Sequence, residues 1–159
     1  MWGRIERVRC ILAAIDDERR QASTAKAVRI GLIGRGISSS LTPIMHETEG
    51  SRLGLAYRYD LIDFDRLGLE DADLGTMVEL ARDMGYSGFN VTYPFKQAII
   101  PLLDSLSPEA AAIGAVNTVV LREGGGVGHN TDCWGFAQSL RRGLNQVQVD
   151  RVLQVGAGG

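Results

Sequence analysis

Apolar residues recur along the chain at two spacings, one typical of helices and the other of short buried strands. Within residues 3–22, aliphatic side chains lie three or four positions apart among charged ones: Ile5, Val8, Ile11, Leu12 and Ile15. This stripe predicts an amphipathic helix that serves packing or oligomerisation. A second stripe, Leu74, Met77, Val78 and Ala81, predicts a helix that ends near Gly85.

The remaining pattern predicts alternating strands and helices. Short apolar runs predict strands over residues 28–34, 57–62, 89–92 and 151–155. Further helices are predicted over 42–53, 96–103, 108–113 and 130–144, with Thr42 capping the first and Asn130 or Thr131 the last. Residues 116–121 and 127–129, with a turn over 123–126, predict a hairpin and the one antiparallel element. These elements predict an α/β fold, a three-layer α/β/α domain with a mainly parallel sheet.

Composition and charge exclude several classes of protein. The chain has 159 residues, 45% of them hydrophobic and 23% charged, as in an ordinary globular domain. A formal net charge of −2 leaves no basic excess for a phosphodiester backbone, so we expect no nucleic-acid partner. No apolar run is long enough to cross a membrane, and the N-terminus does not resemble a secretory signal. Cys10 and Cys133 make no disulfide framework, which favours the cytoplasm, and two distant histidines complete no metal site.

The loop after the first predicted strand carries hydroxyls that suit an anion. Ser40 and Thr42 are two positions apart, so on an extended segment their hydroxyls point the same way. They adjoin a predicted helix N-terminus, where unpaired N–H groups favour a carboxylate or phosphate. Taken alone, the segment is more typical of a serine-rich loop with a capping threonine.

A second candidate is the segment of residues 90–96, Asn-Val-Thr-Tyr-Pro-Phe-Lys. Asn90 and Thr92 face the same way at the end of a strand, where α/β sheets place their ligands. Lys96 is one of only two lysines in the chain. A lysine beside an apolar wall can act in proton transfer, and the alternative is a solvated surface lysine.

Two shorter motifs add an amide and a carboxylate. Asn117, in Gly-Ala-Val-Asn-Thr, offers a donor and an acceptor at a strand start, although a turn asparagine is the commoner interpretation. Asp132, in Gly-His-Asn-Thr-Asp, lies in a first helical turn, which favours a carboxylate in any case. Together these hydroxyls, amides, ammonium and carboxylate suit a small polyhydroxylated acid. A lysine–aspartate pair suits the transfer of a secondary alcohol's proton.

The last apolar run leads into Gly156-Ala157-Gly158-Gly159. This order is typical of the first half of a dinucleotide-binding turn, in which backbone N–H groups approach a pyrophosphate. Taken alone it is equally consistent with a glycine-rich tail. On the first interpretation, hydride passes to a nicotinamide held by a domain that begins here.

At these motifs the sequence resembles the shikimate dehydrogenase family, in its N-terminal substrate-binding domain. The resemblance covers roughly residues 28–159 and rests on five motifs in the family's order. They are Ser-x-Thr-Pro, Asn-Val-Thr-x-Pro-Phe-Lys, Gly-Ala-Val-Asn-Thr, Asn-Thr-Asp and Val-Gly-Ala-Gly-Gly. The resemblance implies an oxidoreductase that interconverts 3-dehydroshikimate and shikimate, in aromatic amino-acid biosynthesis or quinate use, with NADP or NAD as cofactor.

The resemblance also implies a role for each matching residue. Ser40 and Thr42 would bind the substrate carboxylate, and Lys96 with Asp132 would form the catalytic pair. Those implied to bind the ring hydroxyls are Thr92, Asn117 and Asp132. Those implied to begin the cofactor site are Gly156, Ala157, Gly158 and Gly159. Thr42 stands where biosynthetic members usually carry serine and is similar to the quinate/shikimate branch, so the choice of substrate stays open, as does that of cofactor.

We divide the chain into a helical extension (1–27), a substrate-binding domain (28–148) and the start of a Rossmann cofactor domain (149–159). With so little of a cofactor domain, we expect these 159 residues to be inactive alone. Small-molecule acids are the expected partners, and a homodimer is left open. Two alternatives are a non-enzymatic shikimate- or quinate-binding regulator and a related dehydrogenase acting on a folate.

Overall fold

A six-stranded sheet forms the centre of the computed structural model, which describes residues 2–20, 28–145, 147–148 and 150–156. The strands are β1 (Val28–Gly34), β2 (Tyr57–Asp63), β3 (Gly88–Val91), β4 (Ser105–Leu106), β5 (Thr118–Arg122) and β6 (Gly125–His129). They lie in the order β2-β1-β3-β5-β6-β4, and among them only β5 runs opposite to its neighbours. The predicted α/β fold with a mainly parallel sheet is confirmed, and so is the β5–β6 hairpin. Antiparallel pairing also extends to β3, which the sequence did not indicate.

Along the chain, α1 precedes the first strand, α6 follows the last, and the other helices lie between strands. They are α1 (Trp2–Arg20), α2 (Thr42–Arg52), α3 (Leu74–Asp83), α4 (Phe95–Ala98), α5 (Pro108–Ile113) and α6 (Asp132–Gly143). Residues 21 and 22 of the first predicted helix lie outside the described residues. α5 has its predicted bounds because Ser107 Oγ accepts the Ala110 N–H at 3.2 Å and Gly114 ends the helix at φ 70°. No helix in the described part of the chain is both long and apolar enough to cross a bilayer.

The two faces of the sheet are covered unequally. On one face, α1 and α3 pack over the larger core, in which Val8 and Leu12 of α1 are fully buried. This burial supports the packing role predicted for α1. On the other face, α2 lies over a smaller core of Leu32, Ile37 and Tyr59. Because the apolar core on the α2 face is smaller, part of that face carries polar side chains.

A buried carboxylate joins three segments on the α1 face. Asp60 of β2 accepts hydrogen bonds from Arg29 Nε of β1 at 2.9 Å, Arg58 Nε at 3.0 Å and the Tyr86 hydroxyl at 2.8 Å. Its side chain is fully buried. Because removing one partner of such a group leaves a buried charge uncompensated, the loss of any of these donors would destabilise this side of the sheet.

Two predicted helix boundaries are wrong. The helix over residues 96–103 is split into α4 and a 3-10 turn at Ile100–Leu102, because Pro101 lacks the N–H that a continuing helix needs. Thr42 is not the N-cap of α2.

Leu41 occupies the N-cap position, and Thr42 is the first helical residue. Its N–H is donated to Ser40 Oγ at 3.3 Å, so the serine before the helix takes over part of the capping. At α6, Thr131 is the N-cap without a capping side chain, and Asn130 Oδ1 accepts the Cys133 N–H at 3.2 Å. The prediction that Asn130 or Thr131 caps this helix therefore agrees with the structure: Thr131 occupies the N-cap position, and the Asn130 side chain accepts the capping hydrogen bond.

The strand predicted over residues 151–155 is not formed. The segment is irregular, with Val152, Leu153 and Val155 exposed by 83%, 88% and 90%. A strand requires a neighbour for its backbone N–H and C=O groups, and no described strand lies beside this segment. The short β4 was not predicted either, because two residues show no periodicity.

Gly88 of β3 lies where the backbone of β5 approaches most closely. A Cβ at this position would collide with the Val119 carbonyl oxygen. We predict that Gly88→Ala lowers the free energy of unfolding by about 1–3 kcal/mol, because the β3–β5 pair must separate to admit the methyl group. Urea denaturation measures the change. Gly135→Ala in α6, where a Cβ meets nothing within 4 Å, is the control and should be neutral or stabilising. Equal effects of the two substitutions would contradict this account.

Candidate functional site

Three segments that carry predicted substrate and catalytic residues come together at the end of the sheet where β1 and β3 end. Backbone hydrogen bonds run from Thr92 N to Ile33 O at 2.9 Å and from Arg35 N to Tyr93 O at 3.0 Å. They bring the segment after β3 against the segment after β1. Across β3, Val91 N donates to Asn117 O at 2.8 Å, just before the reversed strand β5 begins. One edge therefore collects three loops, as strand ends in α/β sheets commonly do.

Ser40 and Thr42 form a hydroxyl pair at the start of α2. Ser40 Oγ and Thr42 Oγ1 lie 2.8 Å apart, and both side chains are half-buried. The structure thus confirms that the two hydroxyls converge, although Ser40 is held by a turn in which its N–H donates to Ile37 O at 2.9 Å. In this pair one hydroxyl donates to the other, which leaves the second proton for an anion; the first proton also turns to the anion if the shared hydrogen bond is given up.

The turn that carries Ser40 is fixed by Asp63 at the end of β2. Its carboxylate accepts the N–H groups of Gly36 and Ile37 at 3.1 and 2.9 Å and the Ser38 hydroxyl at 2.7 Å. It also accepts the Asp65 N–H at 3.2 Å. Burial alone would raise the pKa of Asp63, but the donors, led by Ser38 Oγ, outweigh burial and lower it. The loop is therefore held by an ionised carboxylate.

Thr92 reaches the site because Gly34 ends β1. A Cβ on Gly34 would lie 2.5 Å from Thr92 Cγ2 and 3.2 Å from Tyr93 O, so a larger residue would push the two segments apart. Among the hydrogen bonds of the described residues, none occupies the Thr92 hydroxyl. The hydroxyl is accordingly available to a ligand.

Lys96 and Asp132 form the ion pair that the sequence led us to expect. Lys96 Nζ donates to Asp132 Oδ2 at 2.6 Å. The lysine side chain is 22% exposed and the aspartate 57%. The α4 backbone supports the pair, since Lys96 O accepts the Val116 N–H at 2.8 Å one residue before Asn117. An ammonium in a short contact with a carboxylate at an open edge can exchange a proton with a ligand hydroxyl.

Asn117 connects this pair to the sheet. Its Nδ2 donates to Asp132 Oδ1 at 2.8 Å and to Thr131 Oγ1 at 2.9 Å. Its Oδ1 accepts the Thr131 N–H at 2.9 Å and the Thr118 hydroxyl at 3.0 Å. All the hydrogen-bonding capacity of the amide is thus used, which fixes the side chain and, through it, the Asp132 carboxylate.

Sequence reasoning missed several residues that shape the site. In the sequence, Asp63 is indistinguishable from any acidic residue that follows a strand. Tyr59 lies within a predicted strand and resembles an ordinary core side chain. Thr131, within Asn-Thr-Asp, could have been found from its place beside Asp132. His46 was given no role; it packs on Tyr59 with ring centroids 4.6 Å apart, and burial lowers its pKa.

The cofactor residues stay predictions. Gly156 is described, with a φ of 89° that glycine adopts without strain and that suits a tight turn. Ala157, Gly158 and Gly159 lie outside the described residues. No group of metal-ligating side chains is found in the described part of the chain.

Comparison with known proteins agrees with this arrangement. Residues 32–119, more than half of the chain, match the family model for the shikimate dehydrogenase substrate binding domain. The chain belongs to the shikimate dehydrogenase family. The matched range includes the hydroxyl pair, Thr92, Lys96 and Asn117, which confirms the resemblance inferred from the motifs.

Relatives within the shikimate dehydrogenase family match most of the chain. The shikimate dehydrogenase (NADP(+)) of Streptomyces avermitilis is 53% identical over 136 residues, which cover 86% of this chain and 47% of the relative. The quinate/shikimate dehydrogenase (NAD(+)) of Corynebacterium glutamicum strain R is 46% identical, covering 84% and 47%. The solved structure of quinate dehydrogenase from Corynebacterium glutamicum in complex with NAD has a TM-score of 0.75 and 45% identity, covering 84% and 48%. The chain spans about half the length of the curated relatives it matches.

The Asp63 contacts predict a pH-dependent stability. A carboxyl whose pKa is lowered in the folded protein stabilises it above its ordinary pKa of 3.8, and this contribution is lost as the pH falls through the lowered value. We expect Asp63→Asn to reduce the free energy of unfolding by about 1.5–3 kcal/mol at pH 7, as for hydrogen bonds to a charged group. The difference from the wild type should shrink below about pH 4.

Urea denaturation at pH 7, 4 and 3 measures this difference. Asp83→Asn, on an exposed residue at the end of α3, serves as the control and should change little at any of these pH values. A difference for Asp63→Asn that stays constant with pH would show that the carboxylate charge is not what holds the loop.

Proposed function

We propose that this chain is the substrate-binding part of an NAD(P)-dependent dehydrogenase that interconverts shikimate and 3-dehydroshikimate. The observation that carries the proposal is the 2.6 Å contact of Lys96 Nζ with Asp132 Oδ2, held by Asn117. Relatives named shikimate dehydrogenase and quinate/shikimate dehydrogenase support it.

The substrate contacts follow from the chemistry of the site. The Ser40–Thr42 pair, together with the N-terminus of α2, suits the substrate carboxylate, because hydroxyl and N–H donors favour an anion. The Thr92 hydroxyl and the Asp132 carboxylate suit the ring hydroxyls. The Asn117 amide, which the resemblance implies for the same role, contacts a ring hydroxyl only by exchanging one of its hydrogen bonds within the protein. Quinate is a second substrate of the same class, and Thr42 in place of serine favours the quinate/shikimate branch.

Proton transfer is assigned to the ion pair. In the direction of alcohol oxidation, Lys96 accepts or relays the proton of the substrate hydroxyl as hydride leaves the carbon, while Asp132 orients that hydroxyl and favours the ammonium form of the lysine. In the reverse direction, the ammonium returns the proton to the carbonyl oxygen. NADP or NAD would accept or supply the hydride. The residues proposed to begin its binding site are Gly156, Ala157, Gly158 and Gly159.

We also propose domain boundaries at residues 27/28 and 148/149, a cytoplasmic location, a homodimer, and a role in aromatic biosynthesis or quinate use. Of the alternatives, a non-enzymatic regulator finds no support among the relatives, which are named as dehydrogenases. A folate substrate would make no use of paired hydroxyls for a small carboxylate, and competition with shikimate decides between the two.

We predict that the chain binds shikimate or quinate and that Ser40→Ala or Thr42→Val weakens binding by about 10- to 100-fold, the loss expected for one hydrogen bond to a charged group. Isothermal titration calorimetry measures the dissociation constants. Ser39→Ala and Thr48→Val, at exposed positions of the same loop and helix, are matched controls and should bind like the wild type. The carboxylate assignment fails if the controls weaken binding as much as the site variants do.

Turnover tests the catalytic pair. When the chain is joined to the cofactor-binding half of a curated relative, Lys96→Ala and Asp132→Asn should each lower kcat by about 10²–10⁴, the usual contribution of general acid–base catalysis. Substrate binding should change much less, because other residues hold the carboxylate. A fall in kcat of less than tenfold in either variant would contradict the role given to that residue.

A further inference from the structure

A buried tyrosine lies at the start of a hydrogen-bonded path to the Lys96–Asp132 pair. Tyr59 of β2 has no exposed surface, yet its hydroxyl donates to Asn90 Oδ1 of β3 at 2.7 Å. To do so the side chain crosses β1 on the face covered by α2. Burial raises the pKa of Tyr59 far above its ordinary value, so the phenol stays neutral and keeps its proton for donation.

The path continues straight across the sheet. Asn90 is paired with Thr118 in the β3–β5 register, and its Nδ2 donates to Thr118 Oγ1 at 3.3 Å. Thr118 Oγ1 in turn donates to Asn117 Oδ1 at 3.0 Å. Each group accepts from one side and donates to the other, so the orientation of the Asn90 amide decides where the Thr118 proton points.

The Thr118 proton matters because of how the Asn117 amide is satisfied. Asn117 Oδ1 has two lone pairs, which the Thr131 N–H and the Thr118 hydroxyl fill at 2.9 and 3.0 Å. The Thr131 hydroxyl is then free to accept from Asn117 Nδ2, at 2.9 Å, while the other N–H faces Asp132. The Thr131 hydroxyl also lies 3.2 Å from Asn117 Oδ1, at a longer distance than the Thr118 hydroxyl. Without the Thr118 hydroxyl, Asn117 Oδ1 loses its only hydrogen bond to the β5 strand among the described residues, and the amide is held by Thr131 and Asp132 alone.

Tyr59 is also in contact with the helix that carries Thr42. Its backbone N–H donates to Glu47 Oε1 of α2 at 3.0 Å, and its ring packs on His46. The same residue therefore touches the element that presents the hydroxyl pair and begins the path that ends at Asp132.

We propose that Tyr59, Asn90 and Thr118 are positioning residues, here called the Tyr59 relay, which fix the Asn117 amide and thereby hold Asp132 against Lys96. The relay deepens the proposed function, since the pair it positions is the one assigned to proton transfer. Its geometric consequence, the rigidity of the Lys96 contact, can be measured without any substrate.

The test uses the ammonium group of Lys96 as a probe. Because the chain has only Lys26 and Lys96, Lys26→Arg in ¹⁵N-lysine-labelled protein leaves a single Nζ signal. Exchange of its protons with water is slow while the ammonium donates to a fixed carboxylate and accelerates when the contact loosens. We expect Thr118→Val to accelerate exchange by about fivefold, the factor that one net hydrogen bond contributes, and Tyr59→Phe by a smaller factor.

Controls separate positioning from general destabilisation. Thr118→Ser keeps the hydroxyl and should restore slow exchange. Tyr57→Phe removes the neighbouring phenol, which lies 3.2 Å from His46 Nδ1 and outside the relay, and should leave the signal unchanged. The double variant Tyr59→Phe/Thr118→Val should match Thr118→Val alone, because Tyr59 acts through Thr118.

Three results would overturn the relay: unchanged exchange in folded Thr118→Val, equal effects of Tyr57→Phe and Tyr59→Phe, or additive effects in the double variant. If Tyr59→Phe does not fold, as judged by circular dichroism, the Thr118→Val and Thr118→Ser pair still decides. Shikimate titration of the same proteins tests the functional consequence separately. A wild type that binds neither shikimate nor quinate would refute the proposed function, whereas the exchange rates would still confirm or refute the relay.

Discussion

The pairing of Thr118 with His129 in the β5–β6 hairpin is the constraint on which the site depends. Because β5 runs against β3, its first residue, and not its last, lies at the edge where β1 and β3 end. The hairpin then returns β6 to that edge, so the residues just before β5 and just after β6 become neighbours. Asn117 and Asp132 meet for this reason, although 15 positions separate them in the sequence. A slip of one residue would turn Thr118 to the opposite face and break both contacts.

Two carboxylates make the loops of this edge rigid in different ways. Asp63 gathers the N–H groups after β1, and its lowered pKa shows that it does so as an anion. Asp132 is half exposed and receives its donors from Lys96 and Asn117. The first carboxylate is enclosed by the loop it holds, whereas the second keeps an open side. A ligand hydroxyl could therefore contact Asp132 and not Asp63.

The sequence predicted those features that depend on local periodicity and capping. The strand β2 was predicted from a short apolar run, and the hairpin from its two runs and the turn between them. The helix α5 was predicted over 108–113, and the structure shows that Ser107 and Gly114 set these ends. The split at Pro101 could have been predicted from proline chemistry, but the helical stripe around it outweighed that signal. The strand expected over residues 151–155 was wrong because apolar content alone does not supply a pairing neighbour.

The site was predictable only where the residues occur in motifs. Ser40, Lys96 and Asp132 were found through their segments, and the structure brings Lys96 to Asp132. Asp63 and Tyr59 could not be found in this way, because their partners lie 25 to 31 positions away and are chosen by strand order. A tyrosine that alternates with buried residues looks like a core side chain, and only the β2-β1-β3 order places Asn90 within its reach.

The Lys96–Asp132 ion pair is exposed, whereas the Asn117 amide that contacts Asp132 is buried. With side chains 22% and 57% exposed, such a pair contributes little to the free energy of folding, because solvent screens the attraction and the lysine loses rotamer freedom. Asn117 is by contrast buried and fully hydrogen-bonded to backbone and hydroxyl groups that belong to the sheet and to α6. We therefore infer that the ordered Asn117 amide holds Asp132 in place for the short contact with Lys96, and not the reverse. An exposed ion pair whose geometry a buried network maintains, and which the stability of the fold does not require, fits the proton-transfer role proposed for Lys96 and Asp132.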